Sequence, residues 1–229
     1  DGVDPVLKVH SLGECYRKGN PHYDQRSTVP AIVDVTTGAV VNNDYHDLTT
    51  ELETAWKKYF RPDAPDLYPE ALHDDIDALN DIIYADVNLA VNLAALVTSQ
   101  KDYEFYYNKV FDRLDWLEKR LSSRRYLFGD TITDPDIRLY VTLARFDLVF
   151  YQKYYVNKKR LVDYPNLWNY AKDLYSHPAF GKNTDFDSMR KRFYYVDHTP
   201  FEDFPRIVPK GPDMSIWEEP NDRAAKFAK

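Results

Sequence analysis

The sequence predicts an α/β segment followed by an all-α one, and three observations carry that prediction. Residues 27 to 48, STVPAIVDVTTGAVVNNDYHDL, alternate short β-rich runs with turn residues. Residues 60 to 69, FRPDAPDLYP, carry three prolines and exclude regular helix there. Beyond them apolar residues recur at helical spacing through most of the chain.

Taken in order, residues 5 to 18 have room for one helix before the loop at Asn20-Pro21. Val29 to Val35 and Ala39 to Val41 read as paired antiparallel strands joined by Thr36-Thr37-Gly38, the composition of a tight hairpin. Asn42, Asn43 and Asp44 can each cap a helix that carries Leu48, Leu52 and Trp56 on one face. After the linker, Leu72, Ile76, Leu79, Ile83 and Val87 begin a periodic run over residues 69 to 99, one long helix or a kinked pair. Tyr103, Tyr106, Val110, Leu114, Leu117 and Leu121 mark a second long helix, and the two together argue for an antiparallel bundle.

GDTITDPDIRLYVTLARFDLVF, residues 129 to 150, holds the sharpest local signal. Thr133 and Asp136 have the spacing of a reciprocal cap, and Pro135 sits in the first turn, where its missing N–H has no intrahelical partner. The run beyond is apolar on nearly every face, so it reads as a central buried helix whose Arg138, Arg145 and Asp147 need partners if buried. A shorter helix follows from Tyr164-Pro165 to about Ser176, stopped by Pro178. The chain after residue 196 is proline-rich and reads as a tail. Its Phe201, Phe204, Ile207 and Trp217 either dock on a partner or cover the bundle.

Composition narrows the function. A net charge of −7 disfavours nucleic acid and anionic membrane surfaces, and no apolar run has the length of a membrane span. Cys15 is the only cysteine, so the chain holds no intrachain disulfide and no Cys-x-x-Cys pair. The six histidines show no paired metal spacing, and the seven glycines form no phosphate loop. Asp74-Asp75 and the basic runs at 158 to 160 and 190 to 192 are expected on solvated faces.

A strand ending in Val-Pro, a hairpin and a helix start are how a thioredoxin-like domain closes, and an all-helical half after a proline-rich linker is the layout of glutathione transferases. NDIIYADVN, FDRLDWLEKRL, YLFGDTITDPDIRL, TLARFDLVFY, DYPNLWNYAKDLY and RIVPKGP resemble the xi class, the glutathionyl-hydroquinone reductases, and DGVDPVL, YDQRSTVPAIVD and VVNNDYHDL extend the likeness toward the start. The resemblance implies a partial thioredoxin-like domain over residues 1–56, a linker over 57–68, a helical glutathione-transferase C-terminal domain over 69–195 and an extended tail over 196–229.

It also implies chemistry. The family uses a cysteine in a Cys-Pro-Trp segment, upstream of the region matching DGVDP, that attacks the glutathionyl thioether of a quinol. No such segment is present, and Cys15, in GECYRKG, is expected to be a packed or surface thiol. Val29-Pro30 matches the family's cis-proline turn beside glutathione. Asp44-Tyr45 matches the acid and small hydroxyl that hold the γ-glutamyl end, with a ring where the hydroxyl is expected. In the quinol site Asn92 stands where a tyrosine is expected and Ala90 where a glycine is, while Tyr194 and Tyr195 match a paired tyrosine segment.

These departures make a glutathione-transferase-like protein that has lost catalysis, acting as an accessory subunit of a larger assembly, the leading expectation. The alternative is a glutathionyl-hydroquinone reductase whose cysteine segment lies upstream, and a binding module retaining glutathione or a quinone stands between them. On the leading expectation no catalytic residue or metal is present, and glutathione binds only if the ancestral site persists. Partners would be other subunits or a second copy, as in the family dimer, and the compartment mitochondrial or cytoplasmic.

Overall fold

The structure is a computed structural model that describes residues 2–194 and 207–228. It forms two compact units, residues 1–66 and 67–229.

In the first unit, α1 (Leu12–Gly19) starts where Glu14 Oε1 accepts from the backbone N–H of His10 and Ser11, both at 2.9 Å. Cys15 is fully buried, and Tyr16 turns inward to donate its hydroxyl to Thr28 O at 2.9 Å. β1 (Ile32–Val33) pairs antiparallel with β2 (Val40–Asn42), Ile32 opposite Asn42 and Val33 opposite Val40 across an irregularity. Both strands differ from the expected Val29–Val35 and Ala39–Val41. Pro30 offers no N–H to a ladder, and Asp34 Oδ1 draws in the N–H groups of Thr36 at 2.7 Å and Thr37 at 3.1 Å, which curls the chain one residue past Val33. Gly38 closes this turn at φ +69°, a conformation that suits glycine.

The first helix also begins later than the expected residue 5, because Asp4 gathers Val6 and Leu7 into a turn of its own. The next helix, α2 (Leu48–Thr54), starts four residues past Asp44 and stops short of Trp56. Asp44 nevertheless caps the turn before it: its Oδ1 accepts from His46 N at 2.8 Å and Asp47 N at 3.2 Å, and Leu48 N donates to Asp44 O.

The second unit carries the main core. The expected helix over residues 69 to 99 is broken in two: α3 (His73–Ile83) and α4 (Ala90–Leu96) flank a π-helical segment, Tyr84–Asn88. α5 (Gln100–Leu121) starts at Ser99, whose hydroxyl accepts from Asp102 N, and presents Val110, Phe111, Leu114, Leu117 and Leu121 to the core. Asp74 and Asp75 are exposed, as expected for a solvated helix start.

α6 (Asp134–Arg145) is the buried central helix. Thr133 donates its N–H and hydroxyl to Asp136 Oδ2 at 2.8 and 3.0 Å. Asp136 also accepts from Leu127 N and from the Tyr170 hydroxyl, at 3.0 and 2.7 Å. The charged interruptions find partners. Arg138 bonds Asp134 at 2.7 Å, Arg145 bonds Val141 O, and Asp147 accepts from Leu161 N and Val162 N. A second π-helical segment, Phe146–Phe150, leads into the single turn α7 (Tyr151–Lys153), so the helical run expected through residue 150 changes pitch at 146.

α8 (Pro165–Ser176), α9 (Pro178–Gly181) and α10 (Phe186–Tyr194) complete the bundle. The described part of the tail folds back on it. Trp217 packs at 5% exposure against Tyr140, Trp168 and Tyr175. Arg223, which opens the short last turn α11 (Arg223–Lys226), is 1% exposed and donates to Leu121 O, Arg124 O and Arg125 O. Covering the bundle is therefore what Trp217 does; Ile207 is exposed, and Phe201 and Phe204 lie outside the described residues.

Candidate functional site

The residues expected around glutathione lie in the first unit. The Val29–Pro30 peptide bond is cis, and Val29 is 79% exposed, so this turn stands at the surface. Asp44 holds its own turn with Oδ1, and Asn42 Oδ1 in turn accepts from Asp44 N at 2.7 Å. Tyr45 comes next in the same turn with 48% of its surface exposed, a phenol ring rather than a compact hydroxyl. His46 approaches Asp47 at 2.9 Å through Nδ1 at this helix start.

The residues expected around a quinol lie in the second unit, where the π-helical segment decides their arrangement. One extra residue in that turn rotates Asn88 toward α6, where its Nδ2 donates to Arg138 O at 3.0 Å and Thr142 Oγ1 at 2.5 Å. Asn92 Nδ2 then donates to Asn88 O at 2.7 Å, so the amide at position 92 is tied to its own helix. Ala90 is fully buried. Asn88 begins the stretch that resembles the quinol site, but its contacts with α6 were not legible, since apolar periodicity carries no signal for a π-turn.

Tyr194 ends α10, and its buried hydroxyl has no hydrogen-bond partner among the described residues. Burial pushes its phenol pKa up, so the group stays protonated at neutral pH and able to donate. Lys153, whose own pKa burial holds down, bonds Phe193 O and lies 5.2 Å from the Tyr194 ring centroid. Tyr195 lies outside the described residues. A mainly apolar cavity of about 240 Å³ opens between α6, α9 and α10, walled by Ile137, Val141, Phe180 and Met189 with Arg145 beside them. Among the described residues no group of three or more His, Cys, Asp or Glu could hold a metal, and no helix is long and apolar enough to cross a membrane.

The family of the glutathione S-transferase C-terminal domain matches residues 100–173, α5 through most of α8. Glutathionyl-hydroquinone reductase YqjG of Escherichia coli (strain K12) is 35% identical over 224 residues, covering 98% of this chain and 67% of that protein. This chain belongs to the glutathionyl-hydroquinone reductases, the xi-class glutathione transferases. The reductase PcpF of Sphingobium chlorophenolicum is 33% identical over 93% of the chain and 67% of its own length. Among solved structures, glutathione-bound YqjG matches with a TM-score of 0.89 at 34% identity, covering 98% of this chain and 72% of that one. A glutathione transferase from Gordonia bronchialis reaches 0.92 at 42% identity, covering 98% and 69%. The chain spans about two thirds of the length of these xi-class relatives.

Proposed function

We propose that the chain carries the glutathione-facing turn and the quinol-facing helices of a glutathione-dependent glutathionyl-hydroquinone reductase, whose nucleophilic cysteine lies outside residues 1–229. The observation that carries this reading is identity with reductases along nearly the whole chain, 35% over 98% of it for YqjG. In the reaction a thiolate attacks the glutathionyl sulfur of the substrate. A sulfur–sulfur bond forms, the sulfur–carbon bond to the quinol breaks, and the ring carbon leaves with the electron pair and takes a proton. A second glutathione, as thiolate, attacks the mixed disulfide and departs as oxidised glutathione, restoring the enzyme thiolate. The roles left to this chain are positional: the turn at Val29-Pro30 and Asp44 for glutathione, and protonated Tyr194 as a donor to a quinol oxygen.

The second reading is a binding or accessory subunit without turnover. Tyr45, Ala90 and Asn92 favour it, since each departs from the family's site and Asn92 is tied to Asn88 rather than projecting a phenol. The reductase relatives favour the first. The test is turnover of a glutathionyl-naphthohydroquinone by the native, untagged protein with added glutathione, read as oxidised glutathione. The expected result is turnover that Cys15→Ala changes by less than about twofold. Glutathione binding without turnover would establish the second reading instead, and turnover abolished by Cys15→Ala alone would overturn the placement of the nucleophile.

A further inference from the structure

Lys172, on α8, is only 5% exposed. Its ammonium donates to Pro220 O at 3.2 Å and lies 5.3 Å from the Trp168 ring centroid. An ammonium has three N–H donors, and a single long bond to a neutral carbonyl leaves this one short of acceptors among the described residues. Lys172 and Pro220 are both wall residues of a cavity of about 420 Å³ between α8, α9 and the tail, a volume suited to a small molecule. Trp217 and Tyr175 supply an aromatic wall, their centroids 5.6 Å apart and their planes at 61°. None of these residues is among those named for glutathione or quinol.

The charges around the cavity narrow the ligand further. Lys172 is the buried charge of this wall, whereas Lys182, Glu218 and Glu219 are exposed at its edge. Two carboxylates against one ammonium at the edge disfavour a dianion such as phosphate, while the buried ammonium rewards one negative charge. We propose that this cavity binds a small aromatic carboxylate, its ring against Trp217 and Tyr175 and its carboxylate on Lys172.

The probe is 4-fluorobenzoate, followed by fluorine NMR on the full protein. Saturable binding is expected, with the neutral isostere 4-fluorobenzamide bound about tenfold more weakly and inorganic phosphate failing to compete. Lys172→Met keeps the length of the stem and removes the charge, so it should weaken 4-fluorobenzoate about tenfold and erase the preference over the amide. Near-UV circular dichroism checks that the variant is folded, and the acid–amide comparison on the unaltered protein stands without it. Equal affinity for acid and amide, undiminished binding by folded Lys172→Met, or no saturable binding would each overturn the proposal.

Discussion

Residues 67–229 bury charged groups and satisfy most of them inside the core, whereas residues 1–66 keep their charges at the surface and use them to shape turns. Asp134, Asp136, Arg138, Lys172, Asp173 and Arg223 all lie in the second unit with exposure of 7% or less. In the first unit the work of Glu14, Asp34 and Asp44 is to collect backbone N–H groups at exposed bends. Its sheet has two strands, and Val29, Val35, Val41, Leu52 and Trp56 remain exposed. A two-stranded sheet is marginal by itself, while a helical bundle with a continuous apolar core is not. The second unit thus supplies a rigid scaffold and the first a set of locally held turns.

The sharpest way to break that contrast is Asp136→Ala. It strips acceptors from Leu127 N, Thr133 and the Tyr170 hydroxyl at once, and about 3–4 kcal/mol of unfolding free energy should be lost in a urea titration. A loss below about 1 kcal/mol would mean the cap is not a keystone of the bundle. Arg223→Ala should cost somewhat less, about 2–3 kcal/mol, because it leaves the carbonyls of Leu121, Arg124 and Arg125 without this donor. Tail protection from protease should fall with it. In the first unit Gly38→Ala should cost only about 1 kcal/mol. The φ of +69° disfavours a side chain, but the atom a new Cβ would meet first is the mobile end of Lys18.

The smallest expected effect concerns pH, and its sign differs between buried Asp147 and exposed Asp34. Burial is the main cause that raises the Asp147 pKa, so its contribution to stability is full below the unfolded value of about 4 and is lost as pH rises through the folded one. Hydrogen bonds from Thr37 N and Thr36 N lower the Asp34 pKa, so its contribution is present above the unfolded value and lost as pH falls through the folded one. Unfolding midpoints at pH 3, 5 and 7 should therefore show Asp147→Asn improving relative to the unaltered protein as pH rises. Asp34→Asn should show the reverse, and parallel pH profiles for the two variants would contradict the contrast.

Much of the helical unit was legible in the sequence because its signals are local. Thr133, Pro135 and Asp136 sit within four positions and define the start of α6, and the repeat from Tyr103 to Leu121 lies inside α5. The two π-helical segments were not legible, since one added residue leaves apolar spacing almost unchanged while rotating the next turn of helix. Partners far apart in sequence were equally hidden: Arg223 reaches Leu121 across 102 positions, and Asn88 reaches Thr142 across 54. In the candidate site, Val29-Pro30 could be placed by its resemblance to the family's cis-proline turn, and Asp44 could be placed as a cap. That Asn92 bonds Asn88 depends on the π-turn and was beyond the sequence.

The measurement that bears most directly on function is trapping of the covalent intermediate. Native protein would be incubated with a glutathionyl-naphthohydroquinone in the absence of free glutathione, digested and mapped by mass spectrometry. One glutathionyl adduct is expected, on a cysteine outside residues 1–229, with Cys15, buried in α1, unmodified. An adduct on Cys15, or quinol release without any cysteine adduct, would contradict the proposed reductase chemistry.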